Sequence, residues 1–124
     1  MRVLVVDDSS IIRRVVEQIL EVLGHEAVPA ADGADALETL RSTPGIELIL
    51  LDWNMPEMSG IEFLRIIKAD PELKDVPVIM LTTESERRKM IEAIEAGAKH
   101  YLTKPFQPET LATKILQCVG TSAA

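Results

Sequence analysis

A chain of 124 residues has room for one ordinary domain, and at 47% hydrophobic it is too apolar to be a disordered segment. Its 13 Lys and Arg stand against 20 Asp and Glu, for a net charge of -7. That balance disfavours nucleic-acid binding, because a phosphate backbone selects basic surfaces. Cys118 is the single cysteine, so no internal disulfide can form and a reduced, cytoplasmic home is expected. The opening MRVLVVDD has too short an apolar run for a signal-peptide core, and no run approaches a bilayer span. No linker or low-complexity tail interrupts residues 1–124, so one domain without an output module is expected.

In chain order, Val3–Val6 (VLVV) is a continuous apolar run, the pattern of a strand covered on both faces. A helix follows from Ile11, with Ile11, Ile12, Val15, Val16, Ile19, Leu20 and Leu23 as one buried stripe. Ser9 or Ser10 caps it and Gly24 ends it. Glu26–Ala31 reads as an outer strand, since Pro29 cannot donate to a ladder. Ala34–Arg41 is a short helix with Asp32 as cap. Leu48–Leu51 (LILL) is the third strand and Gly60–Ala69 the third helix. Val76–Leu81 is the fourth strand, and Ser85–Ala96, closed by Gly97, the fourth helix. His100–Thr103 and Pro108–Val119 complete the series. Five strand–helix repeats predict an α/β fold: a (βα)5 three-layer sandwich on a parallel sheet.

The polar residues fall at one place on that frame. Asp7 and Asp8 follow the first strand, Asp52 the third, Thr82 and Thr83 the fourth, and Lys104 the fifth. All lie at carboxyl ends of strands, the edge where open α/β sheets bind ligands. A strand order of 2-1-3-4-5 would bring Asp7, Asp8 and Asp52 together. At an effective dielectric near 20, two carboxylates about 4 Å apart repel by about 4 kcal/mol. Protons or a cation must relieve three such groups. Hard oxygen ligands of this kind suit Mg²⁺. With Lys104 and the Thr82 hydroxyl, the set has the parts of a phosphoryl-transfer site in which Asp52 is the nucleophile.

The segments VVDDSS, LLDWNMPEMSG, LTTE and YLTKPF are together similar to the receiver domain of two-component response regulators, of the stand-alone, CheY-like chemotaxis type. The resemblance spans essentially the whole chain. The strand order and its switch-point rule are themselves established on this fold, so the two lines are not independent. The resemblance implies that Asp52 accepts a phosphoryl group from a histidine kinase with Mg²⁺ as cofactor. Asp8 would ligate Mg²⁺ directly, Asp7 through water, and Asn54 through its backbone carbonyl. Lys104 and Thr82 would contact the phosphoryl oxygens, and Tyr101 would swing inward when Thr82 moves. Asn54 and Glu84 stand where the family tunes hydrolysis of the acyl phosphate. Thr83 departs from the small residue common there and could hinder small phosphodonors or the attacking water. The Lys104–Pro105 bond would be cis. The output face would be helix four, strand five and helix five, with Met90, Tyr101 and Lys114 as members. The implied partners are a kinase, a protein target such as a flagellar motor switch component, and a phosphatase. No enzyme turnover, nucleic acid or membrane insertion is implied.

Simpler readings accompany several residues. Asp7, Asp8 and Thr82 could serve only as loop and cap residues, a reading that their convergence with Asp52 and Lys104 makes a poor fit. Asn54, Pro56 and Gly60 suit a turn. Trp53 is expected to face the surface beside the site, and Cys118, His25 and His100 to be structural. Arg87, Arg88 and Lys89 read as a solvated helix face. A phosphorelay receiver is the alternative within the family. A flavodoxin-like electron carrier would need a hydroxyl- and glycine-rich loop where VVDDSS stands. A haloacid-dehalogenase-type phosphatase would need its nucleophile after the first strand.

Overall fold

The apolar runs become strands enclosed on both sides. A computed structural model of the chain describes residues 1–55, 57–83, 86 and 89–119. Among them five strands alternate with five helices: β1 (Arg2–Val6), α1 (Ser10–Val22), β2 (Glu26–Ala30), α2 (Gly33–Ser42), β3 (Ile46–Asp52), α3 (Gly60–Lys68), β4 (Val78–Thr82), α4 (Met90–Glu95), β5 (His100–Thr103) and α5 (Pro108–Val119). All pairings are parallel and the order is β2-β1-β3-β4-β5, as expected. Among the described residues no helix is long and apolar enough to cross a membrane.

Alternation along each strand sends side chains to two cores. Val3, Val5, Leu48, Leu50, Ile79 and Leu81 pack with Val16 and Leu20 of α1 and with Leu111, Ile115 and Cys118 of α5. Leu4, Val6, Ile49, Leu51 and Met80 pack with residues of α2, α3 and α4. The result is the predicted three-layer sandwich. Its helix starts are fixed locally: Ser9 accepts from the Ile12 N–H at 3.3 Å, Asp32 from Asp35 at 2.8 Å and Ser59 from Glu62 at 3.3 Å.

Four expectations are corrected. The stripe of α1 is only partly buried: Val16 and Leu20 are enclosed, whereas Ile11 is 74% exposed and Val15 is also exposed. At 3.6 residues per turn the seven apolar positions span roughly 180° of the helix, more than the sheet and α5 cover. The fourth helix is shorter than Ser85–Ala96: it begins at Met90, after a Lys89 N-cap position with no side-chain cap bond. Ser85 lies outside the described residues. Upstream, Glu86 N–H donates to the Thr83 carbonyl at 3.0 Å, closing a tight turn instead. Met90 is in the core, not on the output face; Ile91, 72% exposed, and Ile94 occupy the outer side of α4. Finally, β4 starts at Val78, because the Val76 N–H is spent on the Leu73 carbonyl.

Gly60 does more than make a turn. A Cβ there would sit 2.4 Å from the carbonyl oxygen of Asp52 and 3.1 Å from Cα of Trp53. The Gly60 N–H donates to the Trp53 carbonyl at 2.8 Å, so α3 starts directly against the end of β3. The demand is for space rather than for a left-handed backbone. Gly60→Ala is therefore expected to lower stability by about 1–3 kcal/mol, as overpacking does, read as a lower urea midpoint at unchanged slope.

Candidate functional site

Register places the acids. Val6 pairs with Leu51, so Asp7 and Asp52 leave adjacent strands at the same level. Asp7 is almost fully buried and held on several sides. Its N–H donates to Ala30 at 3.2 Å, and its Oδ1 accepts from the Ser9 N–H at 2.9 Å. Arg13 Nη1 donates to its carbonyl at 2.6 Å. Asp8, next in the chain, faces solvent. Asp7, Asp8 and Asp52 each bring a carboxylate oxygen within 4.8 Å of the other two. Three hard anionic oxygens on one half-open pocket are a donor set that fits a divalent cation.

The lysine arrives from the far edge of the site. Thr82 pairs with Thr103, and the Lys104 N–H donates to the Thr82 carbonyl at 2.6 Å. The Lys104–Pro105 bond is cis, as the resemblance implies. The Lys104 amine donates to Asp52 Oδ1 at 2.8 Å and to Asp7 Oδ2 at 3.1 Å. One ammonium thus bridges two of the three carboxylates.

The charges do not cancel. Burial pushes the Asp52 carboxyl up to about 6, against the hydrogen bond and charge of Lys104, and the nearby Asp7 and Asp8 add to the rise. Burial also works against the charge of Lys104, but the hydrogen bond and charge of Asp52, then Asp7, outweigh it and hold the amine above its ordinary value. Both directions follow from one enclosed cluster: burial decides for Asp52, and the adjoining carboxylates decide for Lys104. The geometry, with Lys104 reaching both carboxylates, keeps the ammonium charged.

On the other side of Asp52 the structure shows a group that the sequence reading missed. Glu86 is 7% exposed, and its carboxylate faces three donors. It accepts from the Asn54 amide, from the Thr83 N–H at 2.9 Å and from the Thr82 hydroxyl at 3.4 Å. The Thr82 hydroxyl also lies 3.1 Å from the Thr83 carbonyl. The only signal in the sequence was a second acid four residues after Thr82. Glu84, named for hydrolysis tuning, lies outside the described residues, as do Pro56, Arg87 and Arg88.

Trp53 overturns its expected position. It is 4% exposed and belongs to the core between the sheet and α3, with the Lys89 amine 5.7 Å from its ring. Tyr101 is half-buried on β5, paired with Met80, and Lys114 lies 5.8 Å from its ring. Tyr101 is therefore near the expected face, while Cys118 is packed in the core as expected.

Comparison with known proteins points to one family and one fold. A model of the response regulator receiver domain matches residues 3–116. The chain is 40% identical to a chemotaxis protein CheY homolog of Campylobacter jejuni, over 99% of this chain and 95% of that protein. It is 41% identical to chemotaxis protein CheY1 of Helicobacter pylori, over 98% and 99% of the respective lengths. The structure of Vibrio cholerae chemotaxis protein CheY4 superposes with a TM-score of 0.88 at 39% identity, covering 95% of this chain and 98% of that one.

The elevated Asp52 carboxyl has a stability consequence. Its contribution is fully present below its ordinary value of 3.8 and is lost as pH rises through about 6. Without divalent cations, wild type is expected to lose stability relative to Asp52→Asn between those limits. Urea unfolding of both proteins across that range checks it. A ¹³C-carboxyl titration of Asp52 in the metal-free protein should report a midpoint near 6, moving down when Mg²⁺ is added.

Proposed function

Because the chain belongs to the response regulator receiver family and is CheY-like along its length, we propose that it is a phospho-accepting switch of a two-component chemotaxis pathway, with Asp52 as acceptor. The observation that carries this reading is the convergence of Asp7, Asp8, Asp52 and Lys104 on one sheet edge. A histidine kinase is the donor, and the chain is an acceptor rather than a turnover enzyme.

In the transfer step an Asp52 carboxylate oxygen attacks phosphorus. The phosphorus–nitrogen bond of the donor phosphohistidine breaks, and the electron pair returns to the imidazole. Asp7 and Asp8 would hold Mg²⁺ with Asp52, and the Asn54 carbonyl would be the further protein ligand. When bound, the cation supplies charge neutralisation at the phosphoryl oxygens. Lys104 already stands 2.8 Å from the nucleophile, placed to pair with the same oxygens once Asp52 carries the acyl phosphate. The rigid start of α3 against β3 holds the acceptor in place while it reacts.

The switch follows from charge. Phosphorylation gives Asp52 more negative charge and more acceptor oxygens. The Thr82 hydroxyl turns toward them, and Tyr101 moves into the space beside it. The output face is the outer side of α4, β5 and α5, to which α4 contributes the exposed Ile91 and Ile94 and β5 and α5 contribute Tyr101 and Lys114. A protein target, such as a motor-switch component, docks there. The chemotaxis assignment is favoured over a phosphorelay by the CheY names of the relatives.

With acetyl phosphate and Mg²⁺, intact-mass spectra are expected to gain one phosphoryl group, and Asp52→Asn to gain none. Asp8→Ala removes a charged ligand and should weaken Mg²⁺ binding by about tenfold or more. Lys104→Ala should still bind Mg²⁺, but its Trp53 fluorescence should no longer respond to beryllofluoride. A full response in that variant would remove the lysine from the switch.

A further inference from the structure

The carboxylate of Glu86 has no part in the metal or phosphoryl contacts described above, yet it is among the most enclosed charged groups in the molecule. Burying a carboxylate is costly unless donors surround it. Here the donors come from three places: the Asn54 amide after β3, the Thr82 hydroxyl at the end of β4, and the Thr83 N–H. Two of these belong to residues that flank the acceptor. We propose that Glu86 is a positioning residue that opposes activation: anchored by Asn54 and the Thr83 N–H, it holds the Thr82 hydroxyl away from Asp52 in the unphosphorylated protein. This rests on the receiver reading.

The argument is one of competing acceptors. A hydroxyl has a single proton to donate. Among the described residues, the Thr82 hydroxyl has Glu86 Oε1 at 3.4 Å and the Thr83 carbonyl at 3.1 Å as acceptors. Oε1 carries charge, and bonds to charged acceptors are the stronger kind, although 3.4 Å is long for one. The Thr83 N–H, 2.9 Å from the same Oε1, keeps that charge beside Thr82. A phosphoryl group on Asp52 must outcompete this arrangement before Thr82 can move. Glu86 thus sets how strong a phosphoryl signal the switch needs.

The test uses beryllofluoride, a phosphoryl mimic, titrated at saturating Mg²⁺ with Trp53 fluorescence as readout. Glu86→Gln keeps the shape and removes the charge; Glu86→Ala removes the acceptor. Half-saturation is expected to fall at least threefold in Glu86→Gln and further in Glu86→Ala, with Mg²⁺ affinity unchanged. In a Thr82→Val background the Glu86→Gln gain should disappear, because the hydroxyl through which it acts is gone. A merely structural Glu86 would lower the urea midpoint and leave half-saturation where it was, which overturns the proposal. So does a gain that persists undiminished in the Thr82→Val background. If wild type itself does not respond to beryllofluoride, the receiver reading fails and the proposal with it; a responding wild type with unresponsive variants defeats the proposal alone.

Discussion

At the carboxyl edge of the sheet the carboxylates of Asp7, Asp8 and Asp52 meet the ammonium of Lys104, and much of what is particular to this molecule follows from that meeting. Lys104 can neutralise only part of the charge that Asp7, Asp8 and Asp52 bring together. Burial drives Asp52 toward its protonated form, and the nearby Asp7 and Asp8 add to the effect. A divalent cation at the three carboxylates would favour the ionised form of Asp52, the one the proposed reaction needs.

The fold meets this load by holding Asp7 through both its backbone and its carboxylate, and Asp52 through the end of β3. Asp7 is tied to β2 through Ala30, to α1 through Ser9 and to Arg13 through its carbonyl. Asp52 is backed by Gly60, whose missing side chain lets α3 press on the end of β3. On the β4–α4 side the Glu86 carboxylate accepts from Thr82 and Asn54, and α4 begins without a capping bond.

Much of this was legible in the residues. Continuous runs such as VLVV and LILL can only be strands covered on both faces, and alternation with helices then fixes a parallel sheet. Once the strand ends are placed, Asp7, Asp52, Thr82 and Lys104 must share an edge. What escaped depended on distances that no spacing rule encodes. Glu86 looked like one acid among several in a polar stretch, and its role appears only when its carboxylate is seen against Asn54 and Thr82. Trp53 was expected at the surface beside the site, yet its N–H still bonds to the Leu81 carbonyl and its side chain is buried. Met90 and Ile91 are both apolar neighbours, and the helix phase alone decides which is covered. Ile11 and Val15 show the converse: a wide apolar arc does not say how much of itself a neighbour will hide.

The two margins of the sheet carry a consequence for assembly. One margin is β2, with Pro29 in its middle, and the other is β5, only four residues long. Proline has no amide hydrogen to offer an incoming chain, and so short a ribbon gives it little to follow. Growth of the sheet from molecule to molecule is discouraged at both ends. Self-association is thereby steered toward the helix surfaces, and crowding of many copies does not by itself extend the sheet into a fibre.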